Sequence, residues 1–200
     1  MVSTNSRRPF EFVANHIVLD FVNTVNARPV FTRDDLRCTD DVVTWAQAAG
    51  LPHYPAASTT VVDSHFEAAI DLRERFYRVF GPISQGHLPP PAAIAAIVKR
   101  ATEAQRSATW SRGPSGYEPT WDVKGDQGLV VAVCGRLGDE ALQLLRSPAV
   151  NRVGSCDGCG WLFLDVSRAH ARRWCSMNMC GARSKMRRYH QRQATAVGAT

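Results

Sequence analysis

Two pairs of cysteines near the C-terminal end of the chain have the spacing of a metal site. Two residues separate Cys156 from Cys159, four separate Cys175 from Cys180, and fifteen lie between the pairs. Four thiolates at this spacing can surround one zinc ion as a tetrahedron without leaving an open coordination position. The spacing therefore predicts one structural Zn²⁺, in preference to disulfides, a redox-active dithiol or an iron–sulfur cluster.

Basic side chains concentrate around these cysteines. Residues 151–192 hold nine of the 24 Lys and Arg but only two of the 18 Asp and Glu, so the remainder of the chain is close to neutral. This asymmetry favours a polyanionic partner over a solvated charged surface. Eight of the nine are arginines, which bind phosphates and guanine edges with a planar guanidinium. The predicted nucleic-acid contacts are Arg168, Arg172, Arg173, Arg183, Lys185, Arg187, Arg188 and Arg192.

The elements that would position these residues are a short strand and a helix. Residues 161–165 are strand-like, and a helix is predicted from about Asn178. On this helix Ala182, Met186 and Tyr189 lie at i, i+4 and i+7 and form one apolar stripe. We expect the stripe to dock on the zinc site while the cations point outward.

The preceding residues have the patterns of a mainly helical domain. Apolar periodicity predicts helices over 40–49, 66–80, 92–105 and 129–145, with Gly81-Pro82 ending the second, and turn residues predict a β-hairpin within 107–125. The expected fold class is α+β, a mainly helical N-terminal domain with a small β element before a treble-clef-like four-cysteine finger. The predicted boundaries are 1–152 for the domain, 153–193 for the finger and 194–200 for a flexible tail.

A polar set near the start of the chain is a candidate ligand pocket. Asp20, Asn23 and Arg28 could bind a small molecule, although Asp20 and Asn23 equally suit backbone groups at the end of an element. The sequence contains no catalytic triad order, P-loop or dinucleotide-binding glycine pattern, so we do not expect an enzyme.

The apolar segments of the sequence predict where in the cell the protein is located. No apolar run approaches the length of a membrane span, and the first residues lack the apolar region of a secretory signal. We therefore expect a cytoplasmic protein without a membrane partner, a location in which thiols stay reduced and available to zinc.

At the finger, the sequence resembles the bacterial CGNR zinc-finger proteins. The segments that carry this resemblance are Cys156–Asp165, Ser167-Arg168, Arg172–Ser176 and Cys180–Arg183, and Leu19–Thr24 is similar to the N-terminal signature of the accompanying ABATE domain. One position departs from the motif that names the family, because Ala182 stands where that motif has Asn. Alanine can neither cap a turn nor contact a base.

The resemblance implies a stress-induced transcription regulator. Its four cysteines would bind zinc, its basic finger would bind DNA, and its N-terminal domain would sense a small-molecule effector or mediate assembly. Because one small finger buries little DNA surface, a homodimer is also considered. The alternatives are RNA binding with Trp161, Trp174 and Tyr189 as stacking residues, a protein-interaction module with a purely structural zinc, and an enzyme in the N-terminal domain.

Overall fold

A computed structural model describes residues 10–26, 28, 33–51, 63–113, 116–121 and 128–197. The described chain is mainly helical and contains three two-stranded antiparallel sheets, so the expected α+β class is confirmed. The α-helices are α1 (Ile17–Val22), α2 (Thr39–Ala48), α3 (Asp63–Ser84), α4 (Pro91–Arg106), α5 (Gly128–Arg146) and α6 (Ala182–Val197). The strands are β1 (Val25–Asn26), β2 (Arg33–Asp34), β3 (Thr109–Gly113), β4 (Gly116–Thr120), β5 (Val153–Ser155) and β6 (Leu162–Leu164).

The core lies between α1, α3 and α5. The short helix α1 is buried on nearly every side, and its Phe21 packs on Trp45 of α2 with 4.8 Å between ring centroids. Helix α3 contributes Leu72, Phe76 and Phe80 to the same core. A helix that is buried on nearly every side can form here because neighbouring elements cover its faces.

Helix α3 continues through the residues that were predicted to end it. Pro82 lies inside the helix, which extends to Ser84. A proline removes one N–H donor and crowds the carbonyl four residues before it, but the last turn of α3 is held on the core by Phe80 and Ile83. The chain instead leaves the helix at Gly86, whose φ of +76° is accessible to glycine, with its N–H bonded to the Ile83 carbonyl at 2.9 Å.

The predicted hairpin within 107–125 is present as β3 and β4. Trp110 and Tyr117 are exposed on it, whereas Trp121, just after β4, is buried and donates its indole N–H to the Ala104 carbonyl at 2.8 Å. The hairpin therefore attaches to the core through one aromatic residue and exposes the other two.

Strands β5 and β6 pair with Val153 opposite Leu164, and they pack on the N-terminal domain. Val153 and Leu162 belong to the main core, together with α1 and α3. The strand expected within residues 161–165 is thus present, but it is part of a continuous core rather than of a separate unit.

Helix α6 extends to Val197, four residues into the segment predicted to be a flexible tail, and residues 198–200 lie outside the described part of the chain. Across the described ranges, none of the helices combines the length and the apolar character that crossing a bilayer requires.

Candidate metal centre and basic surface

The four predicted cysteines meet at one point. Their sulfur atoms all lie within 4.8 Å of one another, and Cys175 Sγ is 3.6 Å from both Cys159 Sγ and Cys180 Sγ. A tetrahedral zinc site with Zn–S bonds near 2.3 Å requires sulfur separations of about 3.8 Å. All four cysteines are free of disulfides. Donor type, number and spacing therefore fit one zinc ion with no open coordination position.

Two loops present these sulfurs. Cys156 and Cys159 lie in the turn between β5 and β6, which closes through the bond from the Gly160 N–H to the Cys156 carbonyl at 2.9 Å. Gly160 has a φ of +75°, a conformation that favours glycine. Cys180 lies in a π-helical turn, Met177–Gly181, that leads directly into α6. A zinc knuckle on a hairpin followed by ligands at a helix start is the arrangement expected of a treble-clef-like finger.

Nearby donors offset the negative charge of the site. Four thiolates around Zn²⁺ leave two net negative charges, so donors aimed at sulfur stabilise the cluster. The Gly158 N–H donates to Cys156 Sγ at 3.4 Å, and the Arg183 guanidinium donates to Cys180 Sγ at 3.1 Å. Arg183, predicted to contact nucleic acid, thus also belongs to the surroundings of the metal.

The pKa values of three of these thiols are shifted in different directions. A hydrogen bond from Cys175 lowers the pKa of Cys159 to about 5, whereas burial raises the pKa of Cys180 to about 11. Hydrogen bonding to Cys159 and burial also raise the pKa of Cys175. Because zinc binds thiolates, its binding must release the protons that these two sulfurs retain.

Arg172 contacts the interior of the protein. Its guanidinium lies over the Phe163 ring, 4.3 Å from the centroid. It donates hydrogen bonds to the backbone carbonyls of Val13 (2.6 Å), Trp174 (2.9 Å), Leu164 (3.4 Å) and Cys175. These bonds connect the N-terminal segment, β6 and the second cysteine loop. Because its donors are used internally, Arg172 is not among the proposed nucleic-acid contacts.

The N-terminal polar set holds the finger hairpin. The Asn23 amide donates to the Leu162 carbonyl at 2.8 Å, and its Oδ1 accepts the Leu162 N–H at 2.8 Å. Asp20 Oδ1 accepts the Ala14 N–H at 2.9 Å, and burial raises the pKa of this carboxyl to about 6. Both side chains therefore satisfy backbone groups, which is the alternative that the sequence offered for them.

Arg28 lies in a different set of contacts. Its guanidinium binds both oxygens of the Glu74 carboxylate at 2.5 and 2.7 Å and stacks over Tyr77, 4.3 Å from the ring centroid. Asp20, Asn23 and Arg28 are thus each bonded to protein groups, and a ligand pocket formed by these three residues stays a prediction.

The other predicted basic contacts lie on the surface. Arg173 is 70% exposed and pairs with Asp157 at 2.7 Å, and Arg168 is exposed on the loop after β6. The exposed cations of α6 are Lys185, Arg187, Arg188 and Arg192. Arg183 and these four form the helical part of what we call the basic surface, which Arg168 and Arg173 complete.

The apolar stripe of α6 does not dock on the zinc site. Met186 and Tyr189 are each 56% exposed, and Ala182 is exposed as well. The expectation was wrong because Trp174 and Met179 of the second cysteine loop already pack against the buried cysteines. Helix α6 begins at the metal site and continues into solvent.

These features define a zinc-finger protein whose metal site joins a mainly helical domain to an exposed basic helix. Residues 15–148 match the ABATE family model, described as "Putative stress-induced transcription regulator", and residues 152–193 match the CGNR zinc finger. The chain belongs to the ABATE family and carries a CGNR zinc finger with one structural zinc, as the sequence predicted. A comparison with curated proteins gives no match, and neither family description names an enzymatic activity.

Proposed function

We propose that the protein is a DNA-binding transcription regulator of the cytoplasm, in which zinc holds the basic surface toward DNA. One observation carries the proposal: α6 starts at the metal site and exposes cations on its length instead of packing on the domain. Lysine and arginine side chains that neutralise phosphates release counterions and so provide affinity. The family description supports the same role.

The aromatic residues support duplex DNA over stacked single-stranded RNA. Trp161 is buried and donates its indole N–H to the Val25 carbonyl at 3.0 Å, and Trp174 is partly buried beside the cysteines. Of the three candidate stacking residues only Tyr189 is exposed. Recognition of single-stranded bases uses several accessible aromatic faces, which this finger does not present.

The remaining assignments rest on the family. We propose that residues 1–152 sense an effector or mediate a homodimer, and that residues 153–193 act as the finger. The contacts of β5 and β6 with α1 and α3 make these two parts one packed body, so that a change in the domain can reach the finger.

A salt series tests DNA binding. The affinity of zinc-loaded protein for labelled duplex DNA is measured by fluorescence anisotropy, with Arg187→Ala/Arg188→Ala as the test variant. Each lost phosphate contact should reduce the slope of log affinity against log salt by about 0.9, so we expect a reduction of about 2. Arg78→Ala/Arg112→Ala removes the same charge from exposed positions outside the finger and should leave the slope unchanged. Equal effects of the two variants, or no binding at low salt, would refute the proposal.

A further inference from the structure

The exposed stripe of α6 is an unusual surface for a free helix. Met186 and Tyr189 remain more than half exposed, and Tyr189 is in contact with Gln193, whose amide donates to the Tyr189 hydroxyl at 3.3 Å. Large apolar side chains that are exposed together commonly mark an interaction site. We call Met186, Tyr189 and Gln193 the reading stripe.

Cations border the reading stripe on both sides. At about 100° per residue, the three stripe residues lie within an arc of about 60°. Arg183 and Arg187 follow on one side, and Lys185, Arg188 and Arg192 lie on the other. An apolar and amide centre between two rows of cations is complementary to a surface with anionic rims and a less charged floor.

The major groove of B-form DNA has that character. It is about 12 Å wide and admits an α-helix, its rims are phosphates, and its floor presents base edges and thymine methyl groups. A glutamine amide can bond adenine, and an apolar side chain can contact a thymine methyl. Helix α6, with 16 residues, is about 24 Å long, enough to lie along the groove. The major groove of duplex RNA is too narrow for a helix.

We infer that α6 lies in the major groove of B-form DNA, with the reading stripe toward the base edges and the two cationic rows toward the phosphates. This inference rests on the proposed function and adds that different side chains of α6 provide affinity and sequence preference. The cationic rows provide salt-dependent affinity, and the stripe provides sequence preference. Gln193 and Tyr189 then supply polar groups that Ala182 lacks.

The experiment separates the two contributions. Duplexes that bind the zinc-loaded protein are selected from a random pool, and affinities for the selected and a scrambled duplex are compared across salt. Met186→Ala/Tyr189→Ala should reduce the preference for the selected duplex about tenfold and leave the salt slope unchanged. Leu88→Ala/Tyr117→Ala, which truncates exposed residues elsewhere, should change neither quantity. Zinc content and circular dichroism verify that each variant is folded.

Dimethyl sulfate footprinting locates the groove, because the reagent methylates guanine N7 in the major groove and adenine N3 in the minor groove. We expect protection of guanine N7 and weaker binding to duplex RNA. Protection at adenine N3 alone, equal binding to duplex RNA, no enriched sequence, or an unchanged preference in the stripe variant would each overturn the inference while leaving salt-dependent DNA binding intact. A dimer that the stripe variant dissociates in sedimentation would also overturn it. Absence of all DNA binding would instead refute the proposed function.

Discussion

The two halves of the finger differ in what holds them in place. Strands β5 and β6 carry two zinc ligands and pack in the main core, where Leu162 is bound by Asn23. The other half consists of the loop that holds Cys175 and Cys180 and of helix α6, which begins two residues after Cys180 and exposes most of its described side chains. One half is thus held by the domain and the other mainly by metal. The difference indicates that zinc fastens an exposed helix to a pre-formed surface.

Removal of the metal should have the largest effect, and it should affect the two halves of the finger differently. Cys175→Ser is expected to lose zinc and to unfold α6, because an isolated helix of this length is marginal in water. Strands β5 and β6 should stay folded through their core contacts. Hydrogen exchange measures both: amides of α6 should lose protection and those of β6 should keep it. Cys38→Ser, a change at an exposed cysteine outside the site, should retain zinc. Simultaneous loss of protection in β6 and α6 would show that the metal holds both halves.

Arg172 connects the two halves of the finger, and its removal should have the next largest effect on the free energy of unfolding. Arg172→Ala removes a donor from four carbonyls, of which Leu164 keeps the Asn15 amide, so we expect a loss of about 2–4 kcal/mol in the free energy of unfolding. The neighbouring Arg173→Ala, at a 70% exposed side chain, should cost about 0.5 kcal/mol or less. Urea denaturation compares the two variants. Similar losses would mean that the internal bonds of Arg172 contribute little.

Two carboxyl groups near this joint should respond to pH in opposite directions. Burial raises the pKa of Asp20 to about 6, so its stabilising contribution is complete below about pH 4 and is lost as pH rises through 6. Although desolvation acts the other way, hydrogen bonds that include the N–H groups of Ser167 and Arg172 lower the pKa of Asp165 to about 2. Its contribution is present above pH 4 and is lost as pH falls toward 2.

Thermal unfolding of Asp20→Asn and Asp165→Asn across pH tests these signs. Relative to Asp20→Asn, the wild type should lose about 2–3 kcal/mol between pH 4 and pH 7, at about 1.4 kcal/mol per pKa unit. Relative to Asp165→Asn, it should lose stability only below pH 4. A difference between wild type and Asp20→Asn that does not change over pH 4–7 would contradict the assignment of Asp20.

Substitution of Asn23 should cause the smallest loss of stability. It tests how the half of the finger formed by β5 and β6 is held on the domain. Asn23→Ala removes a donor and an acceptor from the buried Leu162 backbone, which should cost about 1–2 kcal/mol. Asn15 donates to the Leu164 carbonyl in an exposed position at 3.1 Å, so Asn15→Ala should cost a few tenths of a kcal/mol. Chemical denaturation measures both. If the two variants lose equal stability, Asn23 does not hold the hairpin as described.

The zinc site was predictable because it depends on residue type and on spacing within a short stretch of sequence. Four cysteines in two short loops can satisfy a tetrahedral ion wherever the rest of the chain goes. Helices α2 to α6 were likewise predictable from apolar periodicity, with errors at their ends: Pro82 stays inside α3, because Phe80 and Ile83 hold its last turn on the core. The exposed stripe of α6 could not be foreseen, because a helical wheel shows which residues share a side and not whether another segment covers them.

Residue types, spacing and charge were therefore enough to indicate a zinc finger with a basic helix after a helical domain. They could not distinguish Arg172 from Arg173, which are adjacent and chemically identical, although one binds interior carbonyls and the other is exposed. They also could not show that Asn23 holds Leu162, since the two are 139 positions apart in the sequence. Such roles depend on which backbone groups lack partners once distant segments meet, and a buried polar group must find its partner in the folded chain.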